Sequence, residues 1–213
     1  VAGGARRGAG VRAAVRAGGT PGGARFALFA ECLLTGVWVL IAALPLVTLL
    51  PAFAAGCGHL RRHLAGERCT RREFAAGLRE AVRTGLGWSL LWWTGVALLV
   101  ADLWVAGSGA LPGAVPMTAA AWAGLAVLTV TGLRTAAVRQ PGGSWARAAA
   151  GALRRTCVTD PGGSALLIGG LAVVAVAAGQ QLPLAAPAWG CLVACAVAVE
   201  RRCEARVGRP DGP

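Results

Sequence analysis

The chain has no lysine, no tyrosine and no asparagine, and sets nine acidic residues against 21 arginines for a formal net charge of +12. Carrying every lysine-type charge on arginine is the usage of a GC-rich coding sequence. Charged residues of both signs make up 14% of the chain and aromatics 6%, against roughly 25% charged in an average soluble domain. So few charges cannot clothe a globule of this size in polar surface. A basic excess can mark a nucleic-acid binder, but such a domain gathers its charge on one folded face with aromatics beside it. Here the arginines sit in segments between apolar blocks, and no nucleic-acid partner is expected. Catalytic signatures are missing too. There is no GxSxG, no HExxH, no Walker loop and no GxGxxG opening a helix, so nothing makes a positive case for an enzyme and no cofactor is implied.

What the chain does have is hydrophobic residues, 56% of the total, arranged in blocks at 26–56, 86–106, 114–133, 164–182 and 184–199. A spanning helix needs about 20 apolar residues for a hydrocarbon core of about 30 Å, and the middle three blocks have that length. The first block would reach roughly 46 Å as one straight helix. Pro45 and Pro51 each remove a backbone donor and kink or break such a helix. A single crossing, a double crossing and a re-entrant hairpin all remain open for it. The last block is short and carries Pro187.

The arginines divide among four segments: five in 1–25, seven in 57–86, five in 134–163 and four in 200–213. The connections at 107–113 and 183 carry no charge. Basic loops stay cytoplasmic, so all four basic segments are expected on that side, and the first block must contribute an even number of crossings or a re-entrant hairpin. Trp88, Trp92 and Trp93 stand near the basic end of the second block; Trp104 and Trp122 stand near the uncharged ends. That distribution suits two interfacial belts, or indoles that fill helix contacts. The expectation is an all-α, polytopic membrane protein with five or six membrane segments, multi-pass in the bacterial inner membrane. A disordered basic tail would occupy 1–25, the helical domain 26–200 and a short cytoplasmic tail 201–213.

Seven cysteines (Cys32, Cys57, Cys69, Cys157, Cys191, Cys195 and Cys203) make no paired framework. His59 and His63, one helical turn apart with Cys57 and Cys69 nearby, raise metal binding. The charges of Arg61 and Arg62 between them oppose a cation, and no metal is expected. Asp102 is the acid inside an apolar block, a candidate intramembrane polar site, though only a few residues from the uncharged end. Glu31 reads as a partner for Arg25 or water.

In the stretch from Thr70 to Val82, Thr70 and Glu73 have capping-box spacing. Phe74, Leu78 and Val82 then recur every four residues, with Arg79 and Arg83 off that stripe. This is the pattern of an interfacial helix. It is a candidate contact surface for a partner, together with Trp145 at the start of a second basic helical segment at 145–156. The two segments each precede a pair of apolar blocks, a weak internal repeat.

Residues 43–88 combine Pro45 with Thr48, small residues from Pro51 to Gly56, a basic stretch from Arg62 to Glu67, and the helix from Phe74 to Arg83. That order resembles the YesL-like family of small bacterial membrane proteins of unknown function. Phe53 stands where the family's Pro-Ala-Thr triplet would have its threonine. The resemblance implies an accessory or regulatory component linked to carbohydrate uptake of the ABC type, with a sugar ABC transporter permease and the lipid bilayer as partners, and it carries over no catalytic residue. The competing readings are a small transporter or channel with Asp102 near its pathway, and a membrane-bound enzyme.

Overall fold

The structure, a computed structural model, describes residues 21–67, 70–108, 114–180 and 182–207. Most of the tail expected at 1–25, most of the connection at 107–113 and the end of the tail at 201–213 lie outside the described residues, as does Cys69. Every regular element among the described residues is helical. They are α1 (Pro21–Ala42), a 3-10 turn (Leu46–Thr48), α2 (Leu49–Leu64), α3 (Arg71–Gly107), α4 (Ala114–Val138) and α5 (Trp145–Arg154), which a π-helical turn (Arg155–Thr159) continues, then α6 (Pro161–Gln180) and α7 (Leu182–Val207). Three of them, α3, α4 and α6, are long and apolar enough to cross a membrane.

The first apolar block breaks at its prolines. Pro45 adopts an extended conformation (φ −76°, ψ 101°). The Thr48 hydroxyl lies 2.5 Å from the Ala42 carbonyl, an acceptor that the end of α1 leaves open, and 2.7 Å from that of Pro45. Pro51 falls in the first turn of α2, where its missing N–H would have had no intrahelical acceptor. α2 then runs back along α1, with Gly56 against Val39 and His59 against Glu31. The turn between them is fastened to α3: the Trp93 indole donates to the Leu46 carbonyl at 2.7 Å, and the Ser89 hydroxyl donates to that of Val47. From Trp93, α3 continues 14 residues to Gly107, roughly 21 Å at the α-helical rise. The α1–α2 hairpin therefore stops well short of the far end of α3.

α2 is the centre of the bundle. Its residues Leu50 to Cys57, His59 and Leu60 are all buried, enclosed by α1, α3, α4 and α7. α1 and α7 cross antiparallel in direct backbone contact. A Cβ added at Gly36 would run into the Ala186 carbonyl and the Gly190 backbone, and one at Gly190 into the Cys32 carbonyl. Small residues that let backbones approach this closely are the usual adhesive between helices in lipid.

The capping box forms: the Glu73 amide donates to the Thr70 hydroxyl (3.4 Å) and the Thr70 amide to the Glu73 carboxylate (3.0 Å). No proline interrupts the chain between this cap and Gly107, so the segment expected as an interfacial helix at 71–83 is continuous with the block at 86–106 in one 37-residue helix. α4 likewise runs five residues past the end of its block at 133. Of the most apolar 18 residues of α3, 6% are buried, and of α4, 11%. Leu91, Leu98, Trp104, Val115 and Trp122 are all exposed. Contiguous apolar surface of this extent is matched by hydrocarbon, not water; these helices support insertion into a membrane.

Candidate functional site

The buried ionisable side chains among the described residues collect at the basic end of the bundle, in three groups. The first joins α4, α6 and α7. Arg134, fully buried, donates through Nη2 to the Asp160 carbonyl (3.1 Å) and carboxylate (3.2 Å), with Nη1 3.7 Å from Glu200. Glu200 in turn takes a 2.6 Å hydrogen bond from Arg155, and Arg206 stands 3.8 Å from Asp160. Asp160 also caps α6, accepting from the Gly163 amide at 3.1 Å with Pro161 at the first helical position, where proline is favoured. In hydrocarbon an unpaired arginine is costly, and pairing near a helix end is how it is accommodated.

The second group ties α3, α4 and α5 together. Arg139 grips the Glu80 carboxylate with both terminal nitrogens (3.2 and 2.7 Å) and reaches the Thr84 hydroxyl (2.8 Å). Its guanidinium lies 4.7 Å from the ring centroid of Trp145, whose indole N–H donates to Thr84 at 3.3 Å. A fork-to-fork pair stacked on an indole uses the planar geometry that sets arginine apart from lysine. Gly85 makes room for this, since a Cβ there would strike the Trp145 ring.

The third group lies between α1, the end of α2 and the start of α3. His59 Nε2 and Glu31 Oε1 are 2.8 Å apart, and Phe74 meets the rings of Trp38 and His59 edge-on at 5.6 and 5.8 Å.

Comparison with protein-family models, with curated proteins and with solved structures returns no match. Of the residues singled out for partner contact, Phe74 and Trp145 are 5% exposed and engaged inside the chain, Leu78 and Val82 are half-buried, and Arg79 and Arg83 are exposed. Intramolecular packing takes the apolar stripe of the 71–83 segment and leaves its arginines outward. Asp102 is exposed, five residues from the end of α3. Glu31 faces His59, and the Arg25 side chain lies outside the described residues.

By sequence segment, Arg134 and Arg139 fall among the loop charges and Glu200 at the start of a tail; all three are interior. One signal in the sequence bears on this. Arg134 directly follows the apolar run of α4 and Glu200 that of α7, with Asp160 just before the run of α6, so three opposed charges sit at adjoining helix ends. The first indoles also divide: Trp92 donates to the Leu128 carbonyl (3.0 Å) and Trp93 to the α1–α2 turn, whereas Trp104 and Trp122 are 83% and 60% exposed, as an interfacial belt requires.

Proposed function

We propose that this chain is a multi-pass membrane protein that works through protein contacts at its arginine-rich, cytoplasmic end, as an accessory or regulatory component of a transport system. α1, α3, α4, α6 and α7 enter the bilayer and α2 returns within it, six membrane segments in which the α1–α2 hairpin is re-entrant. An even count keeps all basic segments on one side, as positive charge in short loops demands. The observation that carries the functional reading is the division of the arginines. Arg134, Arg139 and Arg155 are committed to carboxylates inside the chain, while Arg79, Arg83, Arg147 and Arg154 are exposed on α3 and α5. A surface of uncommitted arginines around a rigid, internally neutralised base suits contact with an acidic partner surface. The exposed position of Asp102 favours this over a transporter built on that carboxylate. The link to carbohydrate uptake, with a sugar ABC permease as partner, rests on the resemblance of residues 43–88 to the YesL-like family.

Two experiments test this. Thiol labelling of single cysteines at Gly10, Cys69, Ala150 and Val207, in a background without the others, is expected to find all four cytoplasmic; periplasmic labelling at Gly10 alone would replace the re-entrant hairpin by one crossing. Photo-cross-linking from Arg79 and Arg83 should capture a membrane partner, and Asp102→Asn should leave the associated uptake intact. Transport by the purified protein alone, abolished by Asp102→Asn, would sink the accessory reading.

A further inference from the structure

The third polar group encloses a pocket of about 190 Å³ lined by Glu31, Thr35, Trp38, His59, Arg71 and Phe74. Unlike in the other two groups, its carboxylate and its arginine are not paired with each other. Glu31 meets His59 through one oxygen, and a carboxylate accepts at both. Arg71 is exposed, with its guanidinium 5.4 Å from the Trp38 ring centroid, and has no ion pair among the described residues. A guanidinium held over an indole keeps its N–H donors available to an anion. Thr35 is 2% exposed, yet its hydroxyl has no hydrogen-bond partner. A helical threonine ordinarily satisfies itself on the carbonyl four residues back. A buried hydroxyl left unpaired is unfavourable, and in a pocket it points to a missing ligand atom. Leu34 also lines the pocket and is 45% exposed. With Val37 and Ile41 on α1 and Leu44 just past its end, all exposed, it makes an apolar stripe that leads away from the basic end.

We propose that this pocket holds the zwitterionic headgroup of an aminophospholipid. The phosphate takes the Arg71 fork, the primary ammonium donates to Glu31 and to the Thr35 hydroxyl, and an acyl chain lies along the Leu34–Leu44 stripe. Separated charges of both signs select a zwitterion over an anionic lipid, whose headgroup brings no cation to the Glu31 oxygen that His59 does not engage. Hydrogen-bond donors on the ammonium select a primary amine over a quaternary one.

The test is lipid retention by the purified full chain in native mass spectrometry, with phosphatidylethanolamine, phosphatidylcholine and phosphatidylglycerol offered in equal amounts. Phosphatidylethanolamine should be retained about tenfold better than either of the others, the worth of one charge-assisted hydrogen bond. Glu31→Gln should abolish that preference while leaving phosphatidylglycerol binding in place. Arg71→Gln, at an exposed position, should weaken all three. Soluble phosphoethanolamine should not displace the lipid. Equal retention of the three lipids, retention unaltered by Arg71→Gln, or displacement by soluble phosphoethanolamine at equal concentration would each overturn the proposal.

Discussion

α2 and α3 are neighbours in sequence and opposites in burial. α2 carries two histidines and two arginines in its 16 residues and is not apolar enough to read as a span, yet nearly all of it up to Leu60 is buried. α3 holds the Leu, Val and Trp-rich run, and most of that run is exposed. In water the assignment would be reversed. Where the solvent is hydrocarbon, large aliphatic side chains gain little by leaving it, and what drives helices together is close packing and hydrogen bonding. Small residues therefore dominate α2's interior: Ala52, Ala54, Ala55, Gly56 and Cys57 let four helices close on it around Leu50, Phe53 and Leu60, while the large side chains of α3 stay at the surface.

The sharpest way to break that contrast is to truncate one large side chain in each helix. Phe53 is fully buried and meets Trp189 edge-on at 6.2 Å. Phe53→Ala should cost about 3 to 5 kcal/mol, the range for deleting a buried aromatic, read as a shift in the detergent-denaturation midpoint. Leu98→Ala on exposed α3 should stay within about 0.5 kcal/mol. Equal losses would mean that α3 is covered by protein and that the bilayer reading of its surface is wrong.

A smaller difference is expected between arginines. Arg139→Ala leaves Glu80 without the guanidinium that holds it and removes the cation beneath Trp145. Because Glu80 keeps some solvent access, the loss should be about 2 kcal/mol, below the range for a fully buried pair. Arg79→Ala, at an exposed position, should leave the same midpoint unchanged while reducing partner cross-linking. Smallest of all is the cap that starts α3. Thr70→Ala should cost about 1 kcal/mol, visible as faster proteolysis within 65–72 without loss of the bundle. A cost above that would show that the helix start also anchors Trp38 through Arg71.

The positions of α4, α6 and α7 were legible because each apolar run is bounded by charge or by an uncharged turn, and the break after α1 was legible because Pro45 cannot continue a helix. The start of α3 was readable from Thr70 and Glu73. Its continuity was not, because a change from charged to apolar residues at Leu86 looks like a boundary even where nothing stops the backbone. The burial of Arg134 and Glu200 was hidden for a related reason. Counting arginines by segment assigns sidedness but cannot tell a guanidinium in solvent from one at a helix end turned inward. Nor could spacing alone pair Glu31 with His59, since their contact depends on the hairpin that Pro45 and Thr48 create.

The glycine crossing of α1 and α7 has a consequence in time. Gly36 and Gly190 are separated by 154 residues, which at about 5 to 20 residues per second of synthesis is roughly 8 to 30 s. Throughout that interval the glycine face of α1 is uncovered and α2 is enclosed on only some of its sides. The nascent chain thus holds open the seam that its last described helix must close. Quality-control proteases and insertion chaperones would meet it in that half-assembled state, and a chain cut short before α7 would remain there.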